Sequence, residues 1–265
     1  MNAYQPGMPL CGIEVPQYLD RGGLQTYVVE HRPVQPWRAV VVLAGPMSLE
    51  RSNSYLSWVR WARTLACNGF VVFRFDYTGV GESTGSFADQ TFDTWAGDLC
   101  AVVSVARERH SGLRVFVNGL RLGALLGQSV GECDGLLAWG PPAGGRAMLA
   151  EILRRKLAAD YVERVTGRGT HEGYIRELES GALLEVEGYP WSRGLWSSAD
   201  RYAFAPRGQH HVIHLDGRPV ERLPDPQTAE SLRIGSPPFW LQPTSLVADL
   251  TELFWRSVAR LEAWS

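Results

Sequence analysis

The sequence predicts an α/β domain, a mostly parallel sheet with helices on both faces. Three observations predict it. Short apolar runs rich in valine alternate with segments of helical periodicity. Ala39 to Leu43 and Gly135 to Trp139 are continuously apolar, as strands buried on both faces are. Several of the runs stop at glycine or proline, where a strand gives way to a loop.

In chain order, Leu24 to Glu30 alternates like an early strand, and Pro33 to Pro36 breaks it. Ala39 to Leu43 is a buried strand ending at Ala44-Gly45-Pro46. A helical pattern runs from about Ser54 to Cys67, with Tyr55, Trp58, Ala62 and Leu65 on one face and Asn68-Gly69 as its stop. Phe70 to Phe75 is the next strand, followed by a glycine-rich turn from Asp76 to Gly85. Phe92 to Arg109 is helical, Arg114 to Val117 is a third buried strand, and Gly119 to Gly123 turns into a helix running to about Val130. Gly135 to Trp139 is a fourth strand, stopped by Gly140-Pro141-Pro142. The rhythm then breaks. Residues 143–209 hold a helix over Ala147 to Tyr161, a glycine-broken middle and a Trp/Tyr-rich stretch from Tyr189 to Tyr202, which together read as a cap inserted over the sheet edge. His211 to Leu215 reads as another strand and Leu246 to Leu261 as a closing helix.

The length of 265 residues suits one domain, 1–265, with a sizeable core. Lys and Arg number 26 against 28 Asp and Glu, a balance that favours neither nucleic acid nor an anionic membrane. Met1 to Leu10 lacks the pattern of a signal peptide, and no apolar run is long enough to span a membrane. The expected setting is cytoplasmic. The four cysteines, Cys11, Cys67, Cys100 and Cys133, form no CxxC pair, so buried free thiols are expected rather than disulfides or zinc. No cofactor is expected.

Gly119-Leu120-Arg121-Leu122-Gly123 lies between a strand and a helix. At that place in the strand order α/β-hydrolases carry G-x-S-x-G, an elbow whose strained central residue needs small neighbours. Both glycines are kept and the centre is Arg121. Phe75-Asp76-Tyr77-Thr78-Gly79-Val80-Gly81-Glu82-Ser83 resembles the D-x-R-G-x-G-x-S loop of the serine aminopeptidase-like and esterase-like branch of that fold, and Gly45-Pro46-Met47 stands where an oxyanion loop would. More closely, the chain resembles the α/β-hydrolase-like proteins known as exosortase A system-associated hydrolases, type 2. Four segments carry this: Gly45-Pro46-Met47 with Arg51 and Asn53; Gly81 to Asp89; Gly119 to Leu126; and Pro238-Phe239-Trp240. Within residues 143–209 only Val186-Glu187-Gly188-Tyr189 matches. The resemblance implies an α/β-hydrolase fold with a small cap, an arginine at the elbow, and a bacterial setting of exopolysaccharide or protein-sorting gene clusters.

Ser-His-Asp hydrolysis is not expected. The triad of this fold runs Ser, then acid, then His along the chain. The serine is replaced by Arg121, and no histidine follows His214; Ser236 to Pro243 stands where one should fall. Asp216 occupies a possible acid position with nothing to orient. Loss of a triad serine or histidine costs a factor of about 10⁶ in related chemistry, and a protonated guanidinium is not a nucleophile. Arg121 at a helix N-terminus, with the Gly45 to Ser48 amides, instead describes an anion pocket. Gly45, Pro46, Met47, Asp76, Leu122 and Trp240 are its expected neighbours. The competing reading pairs Arg121 with an internal carboxylate, Asp216 or Asp76.

Other features are weighed the same way. Asp76 and Tyr77 shape the loop more readily than they catalyse. His210, His211 and His214 suit an edge strand better than a metal site. Trp191, Trp196, Tyr189 and Tyr202 either line an apolar pocket or pack the cap. Phe239 and Trp240 fill the volume of the missing histidine or wall a ligand. Ser48, Ser83 and Ser129 lack an elbow and a base. The leading functional expectation is therefore a degenerate hydrolase-like protein binding a small anionic or acyl ligand or a protein partner. A non-hydrolytic enzyme (isomerase or lyase type) using Arg121 to stabilise negative charge comes second, and a hydrolase with an unrecognised nucleophile third.

Overall fold

The computed structural model describes residues 4, 9–34, 36–162, 169–215, 228–234, 237–242 and 250–265. Its frame is an eight-stranded sheet. The strands are β1 (Gly12–Arg21), β2 (Leu24–Pro33), β3 (Val40–Ala44), β4 (Val71–Phe75), β5 (Val115–Leu120), β6 (Gly135–Trp139), β9 (His210–His214) and β10 (Ala229–Ser231); β7 (Leu184–Val186) and β8 (Tyr189–Trp191) form a separate hairpin. The sheet order is β1-β2-β4-β3-β5-β6-β9-β10. β1 and β2 are antiparallel to each other and β2 to β4; every other neighbouring pair is parallel.

The helices are α1 (Ser48–Cys67), α2 (Phe92–Arg109), α3 (Leu122–Gly127), α4 (Gly145–Val162), α5 (His171–Ser180), α6 (Arg193–Ser198) and α7 (Thr251–Trp264). The period-2 strand geometry sorts β3 onto two cores. Val40, Val42 and Ala44 pack with residues of α2, α3 and α4, while Val41 and Leu43 pack with α1 and α7. Trp61, Trp139 and Phe254 join β6 to α1 and α7 by ring contacts of 4.8 to 6.1 Å.

The expected strands β2 to β6 and β9 are present within a few residues. Several boundaries differ. α1 starts at Ser48, six residues early, and α3 stops at Gly127. The glycine-broken middle contains α5, capped by the Thr170 hydroxyl accepting from Gly173 N and ended by Gly181 in the left-handed conformation. α7 begins at Thr251, and the expected helix residues 246–249 lie outside the described residues.

The expectation of free thiols fails for one pair. Cys11 and Cys67 form a disulfide with Cα atoms 4.9 Å apart, tying the start of β1 to the end of α1; Cys100 and Cys133 are free. Wide sequence spacing hid the pairing, because β1 itself was not legible. Among the described residues no helix is long and apolar enough to cross a membrane.

Candidate functional site

β5 delivers Arg121 through a tight turn into α3. Arg121 has φ 54° and ψ −110°. The flanking glycines are required by close approach. A Cβ on Gly119 would lie 2.3 Å from Ala124 N, and one on Gly123 would lie 1.8 Å from the Ala44 carbonyl oxygen. This is the geometry of a nucleophile elbow, built around an arginine.

The Arg121 guanidinium is buried in the chain's own carboxylates. Its Nε lies 3.3 Å from Glu50 Oε2 and its Nη2 lies 2.8 Å from Glu151 Oε2. Arg155 on α4 completes the cluster, reaching Glu50 at 3.2 Å, Glu151 at 3.2 Å and Glu187 at 3.0 Å. Glu187 lies between β7 and β8, and its second oxygen accepts from Leu49 N at 3.3 Å. Two guanidiniums thus face three carboxylates, and the segment between β6 and β9 is fastened onto the elbow through them.

The electrostatics follow from burial. Glu50 is wholly buried, which pushes its carboxyl above the ordinary value, and the Arg121 and Arg155 charges oppose the rise. Burial works against the charge of Arg121 too, but Glu50 and Glu151 outweigh it and hold the guanidinium protonated. Trp240 lies beside the guanidinium. Its ring centroid is 5.8 Å from Arg121 Cζ, and its carbonyl accepts from Asn53 Nδ2 at 3.2 Å. Phe239 and Trp240 are both buried.

The competing reading placed an internal carboxylate beside Arg121, and Glu50 and Glu151 stand there, neither of them an expected partner. Asp76 pairs with Arg51 at 2.6 Å and accepts from Glu82 N at 3.1 Å. Asp216 lies outside the described residues. Glu50, Glu151 and Arg155 were missed. Glu187 stood in a matched segment without a role.

The remaining candidates fall into structural places. Met47 and Leu122 are buried beside the elbow, and Pro46 is buried in the loop after β3. Burial, then the nearby Asp98 charge, raises the Tyr77 hydroxyl far above its usual range, and that hydroxyl lies 3.3 Å from the Gly45 carbonyl oxygen. Ser83 accepts from Tyr27 N and donates to the Asp76 carbonyl. His211 is buried against Glu230 at 2.9 Å. Among the described residues no group of three or more His, Cys, Asp or Glu is placed to hold a metal ion.

An eight-stranded, mostly parallel sheet, with an elbow of this geometry at the end of β5, is the α/β-hydrolase fold. Residues 35–136 match the sequence model of the Hydrolase_4 family, serine aminopeptidase S33. No curated protein matches the sequence significantly. Among solved structures, α/β hydrolase domain-containing protein 10 from mouse superposes with a TM-score of 0.60 at 14% identity, covering 95% of this chain and 100% of that one. An α/β serine hydrolase without lid from Xanthomonas campestris gives 0.54 at 19% identity, covering 97% and 98%. An α/β serine hydrolase homologue from Coxiella burnetii is 21% identical over 49% of this chain and 64% of that one, with a TM-score of 0.43. The chain therefore spans less than two thirds of that last relative's length.

Proposed function

We propose that this chain is a non-hydrolysing member of the α/β-hydrolase superfamily that works by binding, as an exosortase-associated hydrolase-like protein would if its elbow were closed. One observation carries the reading: Arg121, at the nucleophile position, is held by buried Glu50 and by Glu151. A serine hydrolase needs a hydroxyl there, a base within hydrogen-bond reach and room for an acyl carbon. Here the central atom is a paired guanidinium, Trp240 lies against it, and the chain has no histidine after His214. The carboxylates of Glu50 and Glu151 occupy the positions a ligand anion would take beside Arg121. Residues 143–209 act as a cap that locks the elbow, through Glu151, Arg155 and Glu187. The binding face then lies outside the elbow and serves a small ligand or a protein partner.

A fluorophosphonate probe tests this directly. The expected result is no stoichiometric serine labelling, and no ester turnover above the uncatalysed rate. Labelling of one serine at unit stoichiometry, abolished by substituting that serine, would overturn the proposal.

A further inference from the structure

Beside the elbow, but not lined by Arg121, a small cavity opens between the loop after β3, the first half of α1 and the end of β4. Gly45, Arg51, Tyr55, Trp58, Arg74 and Asp76 contribute to its wall. Two of these side chains are more than nine-tenths buried and carry an unused donor. Arg74 is 9% exposed and its Nε has no hydrogen-bond partner; Trp58 is 6% exposed and its Nε1 has none. Among the described residues Arg74 makes no ion pair. Its guanidinium lies over the Tyr55 ring, whose centroid is 5.5 Å from Arg74 Cζ and 5.6 Å from Arg51 Cζ.

Such an arrangement is costly when empty. A buried donor without a partner costs about 1–3 kcal/mol, and a buried charge calls for a counterion. Asp76 is already engaged by Arg51 at 2.6 Å. The wall therefore carries two guanidiniums against one carboxylate. A water molecule would satisfy the two N–H groups and leave the charge uncompensated. An anion does both.

We propose that this cavity is a carboxylate-binding site, separate from the elbow, that takes the head group of a short aliphatic acid. The space, about 20 Å³, is small, which favours a planar carboxylate over a tetrahedral phosphate with four oxygens. The carboxylate accepts from Arg74 Nε and Trp58 Nε1. Arg51, Tyr55 and Asp76 are shared with an open surface groove that also includes Leu56 and Gly81. Tyr55 and Leu56 are 40% and 50% exposed there. They give the aliphatic tail an apolar floor. The site stands whether or not the elbow is catalytically silent.

The indole N–H resonance of Trp58, assigned with Trp58→Phe, reports on the site in ¹⁵N-labelled protein. Butyrate is expected to move it saturably, while chloride and sulfate at equal ionic strength leave it in place. Arg74→Gln should bind butyrate about tenfold more weakly, as loss of one charge-assisted hydrogen bond implies. Arg74→Lys keeps the charge, protects against a folding failure of the first variant, and should also bind more weakly because it lacks the guanidinium fork. The proposal is overturned by no saturable shift in the wild type, by an equal response to chloride or sulfate, or by wild-type butyrate affinity in both Arg74 variants.

Discussion

Arg121 holds a positive φ of 54°, a strain on the order of 1–3 kcal/mol for a non-glycine residue. In a G-x-S-x-G elbow that strain lifts a serine hydroxyl out of the sheet; here it brings a guanidinium to Glu50 and Glu151. The substitution at the elbow was legible because two glycines at fixed spacing between a strand and a helix define the turn. The partners were not. Glu50 and Glu151 lie 71 and 30 residues away in sequence. Glu50 also stands in the first turn of α1, where a carboxylate ordinarily faces solvent and favours the helix dipole. Removing Arg121 leaves Glu50 to Arg155 alone. Arg121→Met is expected to lose on the order of 3–5 kcal/mol in urea denaturation at pH 7, the cost of breaking a buried ion pair. The pH dependence has a definite sign. Glu50 is raised above its unfolded value, so its proton-linked stability is complete below 4.5 and is lost as pH rises through the folded value. Without Arg121 the rise is larger, so the deficit of the variant should grow from pH 5 to pH 7. Adding Glu50→Gln should recover part of it. An equal deficit at both pH values would mean that Arg121 does not hold Glu50 ionised.

At the level of elements, the sequence disclosed the strands buried on two faces and the alternating β2, and concealed the edge strand β1. β3 and β6 are continuously apolar and fully buried, and β4 is buried throughout with Arg74 as its one charged residue. β1 has no fully buried residue, alternates between half-buried and exposed, and contains Pro16, which is tolerated at a sheet edge and argues against a strand when read alone. Its anchor is covalent. The Cys11–Cys67 disulfide closes a loop of 56 residues, for which chain entropy gives about 4 kcal/mol. Disulfides persist in oxidising compartments, which pulls against the cytoplasmic setting expected from sequence. Unreduced, denatured protein should titrate two thiols, those of Cys100 and Cys133. Reduction, or Cys11→Ser with Cys67→Ser, should lower the unfolding free energy by up to that amount and expose β1 to proteolysis first. Four titrating thiols in the unreduced protein would show that the bridge does not form.

Across the whole molecule the sheet is apolar at its centre and charged at both edges. On one side Glu14 of β1 meets His31 of β2 at 3.3 Å and Arg63 of α1 at 2.6 Å. On the other, Glu230 of β10 meets His211 of β9 at 2.9 Å and Arg256 of α7 at 2.6 Å. This division explains why the central strands were readable from apolar runs, whereas β1 and β10 are held by partners that no local pattern reveals. It also fixes where acid acts. Hydrogen bonds from His31 and Arg63 hold Glu14 far below its usual range, and those from His211 and Arg256 do the same for Glu230. A depressed carboxylate contributes stability that is present above its unfolded value of 4.5 and is lost as pH falls through the folded value. Burial lowers His31 as well, so protonating it also costs stability as pH falls below 6.5. Both edges should therefore loosen on acidification before the centre does. Amide exchange, corrected for its intrinsic pH dependence, is expected to speed up in β1 and β10 as pH falls below 4.5 while β3 and β5 stay protected. Glu14→Gln should flatten that response at the β1 edge alone and leave β10 unchanged. If centre and edges open together at one pH in the wild type, the charged clusters do not set the acid stability of the sheet.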